Sequence, residues 1–259
     1  MQGESSSDIA DETLIRKTAE TILGSEKTVA LTGAGISVGS GIPPFRGKGG
    51  LWEKYNPDEY AHVESFKKNP KKVWIMLSEM IDTIRIAEPN AAHFALAKLE
   101  EMDHLEGIIT GNVDFLHQAA GSKKVFELHG NNRSLICMKC QKSYPVERYL
   151  EKMPPRCDCG YALRPDVVLF GEQLPEKALS GSYALARDCD LMLVVGTSAV
   201  VSPMSHMPIV AKESGAKVLE INLERTFLSD FLSDWIVMGV AEDILPKIVE
   251  DVKSLKGSL

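Results

Sequence analysis

The chain has 259 residues, is 44% hydrophobic and 25% charged, and carries a net charge of −7. That length holds one large domain or a large and a small one. The acidic balance argues against nucleic-acid binding and mildly favours substrates with Lys or Arg near the reacting group.

No run of 18 apolar residues occurs, so no membrane helix and no membrane partner are expected. The polar, acidic start, MQGESSSDIADE, resembles neither a signal nor a transit peptide and reads as a tail before the first helix. A cytoplasmic location and a monomer are the expectations. In chain order, residues 11 to 23 have helical apolar spacing, and KTVALTGAG reads as a buried strand running into a turn. Residues 36 to 70 form an irregular excursion. Helices are predicted over 73–87, ended by Pro89, and over 91–105. GIITGNVD (107–114) and KVFELHG (124–130) read as strands. A Pro-, Cys- and charge-rich segment covers 133–164, followed by RPDVVLFGE and a helix over 175–188. DLMLVVGTS (190–198) is a buried strand, KVLEINLE (217–224) another, and AEDILPKIVEDVKSL a closing helix. Strands alternating with helices predict an α/β protein with a parallel, doubly wound sheet, whose ligands bind at the carboxyl ends of the strands. Segments 42–90 and 133–164 read as insertions into that frame.

Five cysteines are present. Cys137-x-x-Cys140 and Cys157-x-Cys159 form two clustered pairs, the pattern of a closed four-thiolate zinc site. No histidine lies between residues 130 and 205 to make an open, catalytic site, so the zinc is expected to be structural. Cys189 reads as core.

Gly33-Ala34-Gly35-Ile36-Ser37-Val38-Gly39 is one residue longer than the usual dinucleotide fingerprint. Gly33 is read as permitting a tight turn and Gly35 as admitting a pyrophosphate, with a helix start beyond offering free N–H groups. The acidic residue that a dehydrogenase places about 20 positions on is missing, since Glu53 is not at a strand end. Asn222, at the end of a later strand, is the substitute. His129 ends a strand beside Gly130 and is the candidate general base. His117 is placed to point into the site, while His62, His93, His104 and His206 read as surface or packing residues.

The ordered set GAGIS-x-x-SGIP-x-FR, NVD-x-LH, a strand ending in HG, two cysteine pairs, FGE, GTS and an IN strand end resembles the sirtuin family of NAD-dependent protein-lysine deacylases. The resemblance runs from about residue 20 to 250. It implies a Rossmann-like large domain (1–41, 91–132 and 165–259) and a small domain made of a helical insertion (42–90) and a zinc module (133–164). It implies that NAD+ is consumed, giving nicotinamide, free lysine and acyl-ADP-ribose, with an acyl-lysine protein or peptide as partner. By that resemblance, Gly33, Ala34 and Gly35 pack on the pyrophosphate, Phe45 shields the nicotinamide ribose and Arg46 meets phosphate. Ile36, Asn112, Val113 and Asp114 line the nicotinamide pocket, with Asn112 and Asp114 catalytic beside the base His129. Gly196, Thr197 and Ser198 hold phosphate and ribose. Asn222 and Glu224 meet the adenosine ribose, with Val240 and Ala241 near adenine. The peptide is expected to add as a strand along Val168, Leu169, Phe170, Gly171 and Glu172.

Three departures stand out. Gly111 replaces the Gln usual before NVD, removing an orienting hydrogen bond worth about 1 kcal/mol. Pro44 replaces the Asp of IPDFR. Phe115 replaces a small residue and is expected to narrow the acyl channel. Leu77 and Met80 stand where acid-preferring relatives carry Tyr and Arg, so apolar acyl groups are expected over succinyl or malonyl. The alternatives are an ADP-ribosyltransferase or NAD glycohydrolase on the same fold, and an NAD-sensing interaction module.

Overall fold

A computed structural model of the chain describes residues 6–150 and 152–257, with side chains described from residue 12. The expected tail lies outside these residues at 1–5. From Ser6 onward that stretch is already helical, in α1 (Ser6–Leu23).

The large unit is a six-stranded, wholly parallel sheet. Its strands are β1 (Thr28–Thr32), β2 (Gly107–Thr110), β3 (Val125–Glu127), β7 (Leu191–Val195), β8 (Lys217–Asn222) and β9 (Trp235–Met238), in the order β3-β2-β1-β7-β8-β9. The chain steps outward from β1 to β3, returns to β7, then steps outward the other way. The switch point therefore falls between β1 and β7, where this architecture places ligands.

Alternation along each strand feeds two cores. Ala30, Leu193 and Ile221 face α1, α6 (Ala91–Glu101) and α11 (Ala241–Lys256). Val29, Leu31 and Val194 face α8 (Glu176–Asp188) and α9 (Met207–Glu213). With helices on both sides, every residue of β1 and β7 is buried, which is why both read as continuous apolar runs.

The small unit has its own core. Short helices α2 (Leu51–Lys54), α3 (Pro57–Tyr60) and α4 (Val63–Lys68) lead into α5 (Pro70–Ile86), so the excursion of 36–70 is more helical than its glycines and prolines suggest. Helix α5 starts where Asn69 accepts a hydrogen bond from the Lys72 amide and Pro70 takes the first turn. It packs on a three-stranded antiparallel sheet of β4 (Gly130–Cys137), β5 (Ser143–Pro145) and β6 (Leu163–Val167). Trp74 Nε1 donates to the Leu163 carbonyl at 2.7 Å, and the Tyr149 hydroxyl donates to Asp82 at 2.5 Å, tying the two insertions together. This sheet runs from Gly130 to Val167, a few residues beyond both ends of the segment 133–164 marked in the sequence.

Other elements differ from expectation in small ways. The strand expected over 124–130 stops at Glu127, and Leu128 instead bonds the Thr110 carbonyl. Two short helices, α7 (Leu116–Ala119) and α10 (Phe227–Phe231), and the edge strand β9 went unread. Runs of four or five residues carry too few periods to betray their type.

Candidate functional site

The carboxyl ends of β1 and β7 touch. Gly33 N–H donates to the Val195 carbonyl at 3.2 Å and Gly35 N–H to the Gly196 carbonyl at 2.8 Å. A Cβ on Gly33 would stand 2.6 Å from Thr197 Cβ, and one on Gly35 would stand 2.6 Å from the Gly196 oxygen. Gly33 has an extended backbone (φ −132°), so it is not demanded by a tight turn. The close crossing of two strand ends leaves no room for a Cβ on either glycine, which replaces the tight turn read at Gly33 and stands beside the pyrophosphate role read at Gly35. The expected helix start is instead a single 3-10 helix, Ala34–Ser40.

Behind this crossing lies a buried polar chain. The Ser37 hydroxyl donates to Asp114 Oδ2 at 2.7 Å, Asn112 Nδ2 donates to Ser37 Oγ and to the Gly33 carbonyl at 3.1 Å each, and the Leu116 amide donates to Asp114 Oδ1 at 2.9 Å. Burial raises the Asp114 carboxyl, and the Leu116 and Ser37 donors oppose it. His93 and His117 stand deeper, with ring centroids 5.0 Å apart. Burial pushes His93 down to about 4 and His117 to about 3. Thr32 Oγ1 donates to Thr110, so His117 Nε2–H donates to Thr32 Oγ1 at 2.8 Å. His117 Nδ1 has no partner among the described residues. His93 is thus a buried member of the site's support, where the sequence left it as an ordinary packing or surface histidine. Its signal was the Asn90-x-x-His93 capping box that opens α6.

Two cavities open from these residues. The smaller, about 50 Å³, is walled by Ala34, Ser37, Phe45, Asn112, Val113 and Asp114. Ile36 does not line it, because its side chain is fully buried in the large core, and Ser37 takes that place. The larger, about 360 Å³, is reached by Phe45, His129 and the stretch Val168–Glu172. Its α5 wall is Met76, Leu77 and Met80, and Val201–Pro203 form another side. Trp52 completes an aromatic row, with ring centroids 5.4 Å from Phe45 and 6.2 Å from Phe170. The motifs did not mark Trp52, Met76 or Val201–Pro203.

His129 sits between β3 and β4. Gly130 follows at φ +71°, and a Cβ there would strike the Asp166 oxygen at 2.2 Å, so this turn needs glycine. His129 Nδ1–H donates to the Gly111 carbonyl at 2.9 Å, which leaves the Nε2 lone pair as acceptor. Burial lowers the imidazole, with the Gly111 carbonyl opposing. The His129 carbonyl in turn accepts from the Val168 amide at 2.8 Å, linking His129 to the neighbouring strip.

That strip is less open than an added strand would need. Phe170 already bonds Ala61 and Val63 through its amide and carbonyl, at 2.9 and 3.0 Å. The Leu169 amide donates to Glu172 Oε2 at 2.9 Å, and Arg164 pairs with the same carboxylate at 2.7 Å. Gly171 is the residue of the strip whose amide and carbonyl make none of these bonds among the described residues.

Farther along the sheet edge, Asn222 Nδ2 donates to the Thr197 carbonyl at 3.1 Å. The Thr197 hydroxyl accepts from the Ala199 amide at 3.0 Å. Ser198, Arg46 and Glu224 are exposed, Val240 caps α11 and is 38% exposed, and Ala241 is buried in the large core. Phe115 departs from its expected role. It lines neither cavity, holds φ +67° and carries Arg133 over its ring at 4.0 Å.

The four cysteine sulfurs lie within 4.8 Å of one another, with Cys137 3.6 Å from Cys159 and Cys140 3.4 Å from Cys157. Tetrahedral zinc with bonds of about 2.3 Å sets sulfurs roughly 3.8 Å apart, so the donor set fits the ion. The Tyr144 hydroxyl, 3.1 Å from the Cys157 sulfur, is an outer partner. Turns at Gln141 (φ +59°) and Gly160 (φ +84°) fold each pair back on itself, and the second explains how C-x-C serves in place of C-x-x-C.

Comparison with known proteins bears on the family and the fold. The Sir2 family profile matches residues 33–203. The NAD-dependent protein deacylase 2 of Archaeoglobus fulgidus is 46% identical over 248 residues, 93% of this chain and 97% of that one. A mutant Sir2 homologue solved in complex with ADP ribose is 41% identical with a TM-score of 0.88, covering 95% and 98% of the two chains. Sir2Af2 bound to a myristoylated histone peptide is 40% identical with a TM-score of 0.81, covering 96% and 100%.

Proposed function

The chain belongs to the Sir2 family as an NAD-dependent protein deacylase, and we propose that it favours apolar acyl-lysines over succinyl and malonyl. The observation that carries the preference is the α5 wall of the larger cavity, where Met76, Leu77 and Met80 present hydrocarbon and thioether without a cation. Arg46, the cation on the cavity lining, is exposed and assigned to phosphate. The likeness to a protein solved with a myristoylated peptide supports a long, apolar acyl channel.

When bound, NAD supplies a ribose carbon made electrophilic by departure of nicotinamide, and it is consumed to acyl-ADP-ribose as the lysine is freed. The chain's own residues hold and protect that chemistry. Gly33, Ala34, Gly35, Gly196, Thr197 and Ser198 frame the pyrophosphate, and Asn222 and Glu224 take the adenosine ribose, with Val240 and Ala241 beside adenine. Asn112, Val113 and Asp114 receive the nicotinamide. Asp114 stays oriented because Ser37 and Leu116 already bond both its oxygens. His129 takes a ribose hydroxyl proton at Nε2, the nitrogen its Gly111 bond leaves unprotonated. Phe45, Trp52 and Phe170 keep water from the reacting carbon. The peptide lies against Val168–Glu172, with the Gly171 backbone as its hydrogen-bonding edge.

The test is a series of one peptide carrying acetyl-, myristoyl- and succinyl-lysine. The acetyl and myristoyl forms are expected to give the larger kcat/KM. A succinyl peptide turned over faster than the acetyl one would overturn the preference and point to Arg46.

A further inference from the structure

The base has a neighbour that no motif announces. We propose that Met204 is a positioning residue for His129, its thioether occupying the place of the side chain that Gly111 lacks and sealing the Nδ1–Cε1 edge of the imidazole from water. The inference rests on the reading of His129 as the base.

A Cβ on Gly111 would stand 2.8 Å from Met204 Sδ and 3.5 Å from both Cε1 and Nδ1 of His129. Thioether and imidazole therefore border the same small space. Gly111 is not among the residues with a left-handed backbone, so its conformation does not ask for glycine. A side chain there would have to displace the Met204 thioether. Met204 is 5% exposed and shares a core with Leu128, the residue before the base. The three residues leading into it, Val201–Pro203, wall the same cavity as Gly111 and His129. An unbranched, polarizable side chain suits such an irregular gap.

The consequence is chemical. The imidazole holds its tautomer through one bond, from Nδ1–H to the Gly111 carbonyl. Water admitted at that edge would compete for the Nδ1 proton and hydrate the imidazolium. It would undo the burial that, with the Gly111 carbonyl as the other cause, sets the titration of His129. Neither cause is a charged side chain.

The test compares the wild type with Met204→Ala, Met204→Leu, Gly111→Gln and the Gly111→Gln/Met204→Ala pair. Two quantities are read on an acetyl-lysine peptide: the acid limb of kcat/KM, and the ratio of free to acetylated ADP-ribose. Met204→Ala is expected to move the acid limb up towards pH 6.5. It should lower kcat about tenfold, on the scale of a sub-ångström misplacement, and raise the free ADP-ribose share. Met204→Leu, which keeps the volume, should stay near wild type. Gly111→Gln alone should be slow because it strikes Met204, and the pair should recover most of the Met204→Ala loss. If Met204→Ala folds poorly, Met204→Val carries the same two readings. An unmoved acid limb and product ratio in the shortened variant, whatever its melting temperature, would reduce Met204 to core packing and overturn the proposal. A His129→Ala protein that still deacylates would remove the underlying reading instead, a separate outcome from any result at Met204.

Discussion

At the scale of the residue, the deepest chemistry is a pair of neutral histidines. His93 and His117 have folded values near 4 and 3, below the ordinary 6.5. The unfolded chain therefore binds their protons first as the pH falls. Their contribution to stability is whole above about pH 6.5 and is lost at about 1.4 kcal/mol per pH unit per histidine, towards pH 4 for His93 and pH 3 for His117. Urea denaturation of His93→Gln at pH 7, 5.5 and 4.5 should show a flatter acid loss than wild type by about that slope. Parallel slopes would mean that His93 is not held neutral. His129 stands out in the sequence as a candidate base by its place beside Gly130. Its tautomer does not, because that depends on the carbonyl of Gly111, 18 residues away and brought near only by the pairing of β2 with β3.

At the scale of the element, the sequence showed the strands buried on both faces and the long helices, whose periodicity repeats often enough to read. It read a tight turn at Gly33, where glycine is needed because Thr197 and Gly196 of a distant strand end leave no room for a Cβ, and the same Gly196 crowds Gly35. Phe115 was likewise read as a channel residue, although its ring lies under Arg133. The cysteine pairs were legible because metal ligands obey local spacing, and they carry a prediction. Cys137 and Cys157 belong to the same core as Trp74, Val167 and Leu169. Stripping the metal with a strong chelator should therefore speed amide exchange across 133–164 and cut deacylation, while the β1 and β7 amides stay protected, because structural zinc sites contribute about 10 kcal/mol or more to the fold around them. Loss of protection in β1 and β7 at the same rate would contradict a separate small core.

At the scale of the whole molecule, the small unit and the large unit meet at the cavities that Phe45 and Val113 share. The proposed acyl preference is tested at this scale, since α5 comes from one unit and His129 from the strand connection of the other. Replacing Met80 by Arg should raise kcat/KM for succinyl- relative to acetyl-lysine about tenfold or more, the worth of a charge-assisted hydrogen bond in a sheltered site. An unchanged ratio would place the acyl tip away from α5. The alternation of strands and helices made the large parallel sheet legible, whereas its strand order, the aromatic row through Trp52 and the wall at Val201–Pro203 arise only when separate segments fold together. The central claim is that this chain couples NAD consumption to lysine deacylation through His129. Mass spectrometry of an acetyl-lysine peptide incubated with and without NAD, beside His129→Ala, tests it most directly. The account predicts NAD-dependent loss of the acetyl group with acetyl-ADP-ribose appearing, both falling by about 10² to 10⁴ in the variant. NAD consumed while the peptide keeps its acetyl group would contradict it and turn the reading to a glycohydrolase or ADP-ribosyltransferase.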